Sequence, residues 1–79
     1  MHAVDVKRMV EAGLEGCRAE VEGGDGRYTV TVVGEAFAGL TPVKKQQLVY
    51  GTLNEAIGDG RIHAVTIRTF TPEQWGERD

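Results

Sequence analysis

The sequence predicts a two-layer α+β domain in the order α-β-β-α-β-α, with helices against one face of a three-stranded mixed sheet. Three features carry that prediction. Apolar residues recur at helical spacing in two separate stretches, two β-rich segments flank a run of glycines, and a third β-rich segment follows the second helix after another glycine stop.

Asp5 is suited to cap a first helix whose apolar stripe is Val6, Met9, Val10, Gly13 and Leu14, with Gly13 or Gly16 near its end. From Cys17 to Glu22 the period drops to two, with Cys17, Ala19 and Val21 on one face and Arg18, Glu20 and Glu22 on the other. Gly23-Gly24-Asp25-Gly26 supplies the positive φ angles of a tight reversal. Tyr28 to Val33 is β-branched or aromatic throughout, so the two segments form an antiparallel hairpin.

Gly34 to Leu40 is a connector. Thr41 as N-cap and Pro42 at the first helical position open the second helix, Val49, Leu53, Ala56 and Ile57 form its stripe, and Gly58-Asp59-Gly60 stops it. Gly51 inside that helix costs about 1 kcal/mol relative to alanine, which leaves two readings open, a close packing contact or a break into two shorter helices. His63 to Phe70 forms the third strand, and Thr71-Pro72-Glu73-Gln74 begins a short terminal helix through Trp75 with Gln74 at the capping-box position. The crossover from the second strand through the long helix makes strands two and three parallel. Both strands then start at one end of the sheet, which makes the glycine loop and His63 neighbours.

A chain of 79 residues, 41% hydrophobic and 27% charged, has the composition of one globular domain with a small core, here residues 1–79. Met1 to Asp5 offers no apolar run for a signal peptide and no stretch approaches a membrane span, so the cytoplasm is the expected compartment. One cysteine, Cys17, builds neither an internal disulfide nor a complete zinc or iron–sulfur site. A formal charge of −3 argues against strong non-specific nucleic-acid binding, and no basic run exceeds the pair Lys44-Lys45. No nucleophile, base and orienter set, no phosphate-cradling loop between strand and helix, and no metal-ligand pair at helical spacing is present, so the chain is not expected to be an enzyme.

Gly34-Glu35-Ala36-Phe37, the Val43-Lys44-Lys45-Gln46-Gln47-Leu48-Val49-Tyr50-Gly51 run after Thr41-Pro42, and Arg61-Ile62-His63-Ala64-Val65, in this order and spacing, resemble the BolA-like proteins. The likeness runs from about Val21 to Trp75 and is nearest to the bacterial branch with Val-Lys-Lys-Gln-Gln. It implies a KH-like fold of the class II type. It also implies that His63 is a [2Fe-2S] ligand when the protein pairs with a monothiol glutaredoxin, the glutaredoxin and its glutathione each giving a thiolate. The family's loop between the first two strands often adds a Cys or His. Here that loop, with Gly24, Asp25, Gly26 and Arg27 flanking the site, carries neither. Cys17 stands about 16 Å away along five residues of strand, and a carboxylate such as Asp25 is an unusual cluster ligand. No cofactor is expected in the isolated chain. Residue chemistry alone leaves His63 two roles, a ligand or a strand-end histidine held by a local hydrogen bond, and reads Cys17 as a small buried hydrophobe.

The resemblance implies a second role as well, a DNA-binding regulator acting through the helix-turn-helix-like region from Thr41 to Asn54. Lys44, Lys45, Gln46 and Gln47 are then the residues for phosphates and base edges, widened by Arg61 and Arg68. The same face suits a protein partner or a solvated helix surface. Tyr50 and Trp75 are read as packing residues. Gly13-Leu14-Glu15-Gly16 and the hairpin glycines match the spelling of an RNA-clamping Gly-x-x-Gly loop in the wrong places and beside acids. The resemblance leaves a homodimer possible, and nothing in the residues decides the oligomeric state.

Overall fold

The computed structural model describes residues 1–77, so residues 78 and 79 of the expected domain lie outside the described residues. The elements are α1 (Ala3–Gly13), β1 (Arg18–Gly24), β2 (Arg27–Val33), a 3-10 turn (Glu35–Phe37), α2 (Pro42–Gly58), β3 (Ala64–Phe70) and α3 (Pro72–Glu77). The sheet order is β1-β2-β3, antiparallel between the first two strands and parallel between the last two. This is the expected α+β order and mixed sheet.

Burial follows the sequence periods. Ala19 on β1, Tyr28, Val30 and Val32 on β2 and Ile67 on β3 meet Val6 and Val10 of α1 and Val49, Leu53 and Ala56 of α2 in one core. The opposite face of the sheet stays open over Glu20, Glu22, Thr29, Thr66 and Arg68. Near its lower end Trp75 of α3 meets Phe70 edge-on, with ring centroids 5.3 Å apart.

Several details differ from expectation. α1 starts at Ala3 with His2 as its N-cap, so Asp5 is not the cap. Asp5 sits instead in the first turn, where its carboxylate accepts the His2 N–H at 2.8 Å, satisfying an otherwise free donor. β1 begins at Arg18 rather than Cys17 and continues through Gly24. The reversal is therefore only two residues, Asp25 and Gly26, with φ of 54° and 82°. Two consecutive positive φ angles give a turn whose twist matches that of the strands it joins, so pairing persists to its edge. The connector hides a core residue, Phe37, which is fully buried on its 3-10 turn.

The remaining caps are those expected. Thr41 accepts the Lys44 N–H at 3.2 Å with Pro42 at the first helical position. Thr71 and Gln74 exchange hydrogen bonds at 2.9 and 3.2 Å. Gly51 resolves to neither open reading. α2 runs unbroken through it, and an added Cβ there would meet nothing within 4 Å. The core positions Val49, Leu53 and Ala56 on either side hold the helix together despite its local weakness. Gly51→Ala is therefore expected to raise the unfolding free energy by about 0.5–1 kcal/mol in urea titration. A neutral or lower value would mean the helix bends there in solution.

Candidate functional site

Parallel pairing brings the start of β3 to the hairpin end of the sheet. Ala64 pairs with Arg27, while the His63 and Ala64 N–H groups both donate to the Gly26 carbonyl, at 2.7 and 3.1 Å. His63 thus lies one residue before the strand, not within it as expected. The preceding residue, Ile62, is 2% exposed and donates its N–H to the Ala56 carbonyl at 3.1 Å. That anchor fixes where the chain turns up into β3. Ile62 lies outside the apolar stripes expected from the sequence, although an apolar residue between Arg61 and His63 is the available signal.

The His63 ring lies against Gly26. A Cβ at position 26 would collide with Cδ2 of the imidazole and crowd Cγ and Nε2. Gly26 is therefore required twice, once for its φ of 82° and once for the space the ring takes. The imidazole itself is exposed, and neither ring nitrogen has a hydrogen-bond partner among the described residues. The local side-chain hydrogen bond expected of a strand-end histidine is absent among the described residues. Beside it runs a shallow groove lined by Tyr50, Ile57, Ile62, Ala64 and Val65. Tyr50, expected to pack, is 39% exposed on that groove.

The flanking residues divide. Gly24 and Arg27 form the last pair of the ladder rather than loop. Asp25 and Gly26 alone make the turn. Among the described residues, no three His, Cys, Asp or Glu side chains come together as a metal site. Cys17 lies at the other end of the sheet, its sulfur against Gly34. Burial pushes its thiol pKa up, an effect partly offset by a hydrogen bond from the Ala36 backbone. It is neither near His63 nor primed as a thiolate. The donor chemistry at the hairpin end thus fits one unencumbered imidazole, which can complete a ligand set but not supply one.

The six residues expected to form a basic or base-reading surface do not come together. Lys44 and Gln47 are exposed on α2, beside Leu40 and Leu48, and Lys45 is half-buried. Gln46 turns the other way and donates its side-chain amide to the Ile67 carbonyl at 3.0 Å, so it is engaged in the fold. Arg61 is held by Asp59 at 2.8 Å, and that guanidinium keeps the Asp59 carboxyl below the usual carboxylate range. Arg68 lies over the Phe70 ring, 5.6 Å from its centroid, on the sheet face opposite the core. The patch reduces to two lysines and a glutamine.

A family model described as BolA-like protein matches residues 1–74. The chain belongs to the BolA-like family. It is 53% identical over 55 residues to the acid stress protein IbaG of Escherichia coli K12, covering 70% of this chain. The aligned part spans 66% of that relative, about two thirds of its length. It is 43% identical over 53 residues to the DNA-binding transcriptional regulator BolA of Vibrio cholerae, covering 67% of this chain and 49% of that one. Among solved structures, a BolA homologue from Coxiella burnetii superposes with a TM-score of 0.87 at 28% identity, covering 98% of this chain and 99% of that one. The BolA-like fold thus extends over almost the whole chain.

Gly26→Ala should cost at least about 1–2 kcal/mol of stability, since alanine at this φ is strained before any contact with the ring is counted. The same variant should move the His63 imidazole resonances in NMR spectra. Native-like stability with unmoved resonances would contradict the contact.

Proposed function

We propose that this protein is a cytoplasmic BolA-like accessory protein, not an enzyme, that pairs with a monothiol glutaredoxin and gives His63 as a ligand to a shared [2Fe-2S] cluster. Its role would lie in iron–sulfur trafficking or in iron and stress signalling. The observation that carries the reading is the His63 ring itself. It is solvent-facing, has no hydrogen-bond partner within the described residues, and is positioned from behind by the Gly26 contact and the backbone bond to the Gly26 carbonyl. A histidine serving the fold would be buried or hydrogen-bonded; this one is fixed in place and left open. A thiolate from a partner can approach it along the groove beside Tyr50 and Val65. The resemblance to a protein named for acid stress supports the stress setting.

The chain's own contribution is positional. The two-residue turn sets the height of Gly26, Ile62 fixes the entry to β3, and the ring is offered with little freedom left to lose on binding. When bound, the cluster supplies the electron-transfer or iron-delivery chemistry, and the imidazole would tune its potential.

The test is cluster reconstitution with glutathione-loaded monothiol glutaredoxin, followed by visible circular dichroism. Wild type should give a spectrum distinct from that of glutaredoxin alone, and His63→Ala should lose or strongly alter that difference. Spectra from the two proteins that coincide would end the proposal.

The name of the Vibrio relative favours a second reading, DNA binding through α2. Its physical support is limited to Lys44 and Lys45. If those two lysines carry the contact, the logarithm of the affinity should fall against the logarithm of salt concentration with a slope of about −1.8. A slope near −4 or steeper would require cations beyond this face, and absence of binding at low salt would dismiss the reading.

A further inference from the structure

Every backbone N–H from Asp59 to Ala64 is bound. Asp59 donates to the Glu55 and Ile57 carbonyls, Gly60 to Ile57, Ile62 to Ala56, and His63 and Ala64 to Gly26. The Arg61 N–H donates to Oδ1 of Asp59 at 3.1 Å, so it alone in the series is held by a side chain. The Arg61 guanidinium then folds back on the same carboxylate, its Nε 3.0 Å from Oδ1 and 2.8 Å from Oδ2. One carboxylate thus closes the segment that joins α2 to His63, just where Gly60, with a φ of 86°, has turned the chain out of the helix.

An ion pair whose side chains are 46% and 45% exposed adds little to the stability of the fold. Its local effect is larger. Glycine has the widest backbone freedom of any residue, and Gly60 lies inside the loop that Asp59 closes. Without the carboxylate the step from Gly60 to Arg61 is free to rotate, two residues before the imidazole. The segment carrying His63 would then be ordered only when the partner binds, and ordering at that moment costs affinity.

We propose that Asp59 is a positioning residue for His63: its carboxylate, clasped by Arg61, locks the lead-in to β3 so that the imidazole is offered to a partner's cluster from one backbone position. This rests on the reading of His63 as a ligand. Gly26 holds the ring from one side, and the clasp steadies the chain that delivers it from the other.

The test uses the full chain with glutathione-loaded monothiol glutaredoxin, comparing wild type, Asp59→Asn, Asp59→Ala and His63→Ala. Asparagine keeps an oxygen for the Arg61 N–H and loses the charge that faces the guanidinium; alanine loses both. Melts of the isolated Asp59 variants should lie close to wild type, since the pair is exposed. Amide exchange at His63 should quicken in Asp59→Ala while that at the fully buried Val30 and Leu53 stays unchanged. In the complex, the lifetime of the cluster against a chelator, followed by visible circular dichroism, should fall about two- to tenfold in Asp59→Ala and less in Asp59→Asn. A residue that merely supports the fold would instead lower the melt and quicken exchange throughout. Should Asp59→Ala melt markedly lower, the lifetime in Asp59→Asn decides. If His63→Ala alters the spectrum and the folded Asp59 variants keep the wild-type lifetime, the inference about Asp59 is wrong and the reading of His63 stands. If His63→Ala leaves the spectrum unchanged, both fall.

Discussion

The contact between the His63 ring and the bare Cα of Gly26 is the constraint on which the rest of the site depends. It exists only because β2 and β3 are parallel and begin together, which in turn needs the full crossover through α2. It also needs a reversal of only two residues, so that Gly26 stands at the mouth of the ladder rather than out on a loop. Lengthening the turn would lift the glycine away; reversing the pairing would carry the histidine to the far end. A single packing contact therefore reports on both halves of the fold.

The same sheet shows how a domain this small closes its edges. In the hairpin, the pair Gly24 and Arg27 closes the turn, which leaves Ala19, Val21 and Gly23 with their backbone groups facing outward. On the other side, the Ala64 N–H bond to Gly26 sets Val65, Ile67 and Thr69 outward. One side chain from each long helix reaches over to an edge. Glu11 of α1 accepts the Ala19 N–H at 3.0 Å, and Gln46 of α2 donates to the Ile67 carbonyl at 3.0 Å. Unpaired strand edges invite association with other strands, and a polar side chain on the outward backbone blunts them. Gln46 thus serves the monomer's integrity, which explains why a residue spelled as part of a surface motif is not free for a partner. On β3 Gln46 covers Ile67, while Val65, beside His63, carries no such side-chain bond.

What the sequence reveals depends on how local the physics is. Thr41-Pro42 and Thr71 with Gln74 were legible because a cap is a contact within four residues. The strand periods were legible because one face of each strand is buried. Phe37 was not, since a single aromatic on a three-residue turn has no period to betray it. The intramolecular partners of Gln46 and Arg61 and the exposure of Tyr50 were not legible for a related reason. Their roles are set by the Ile67 carbonyl, the Asp59 carboxylate and an open groove, and only the second of these is close in sequence. The neighbourhood of His63 and the hairpin was legible from topology alone, while the ring's packing on Gly26 was not. The bond from Tyr28 to Met1, a contact spanning 27 positions, was equally out of reach of local pattern.

The turn chosen here leaves the hairpin little room for a ligand of its own. With φ of 54° and 82° the turn admits at position 25 only residues that tolerate a left-handed backbone, and at position 26 only glycine, because the imidazole already fills the space of a Cβ. Ligand capacity in the loop and tight seating of His63 are therefore in competition. A longer loop could carry its own donor but would seat the histidine less firmly; the short one seats it firmly and must find any further donor in another element.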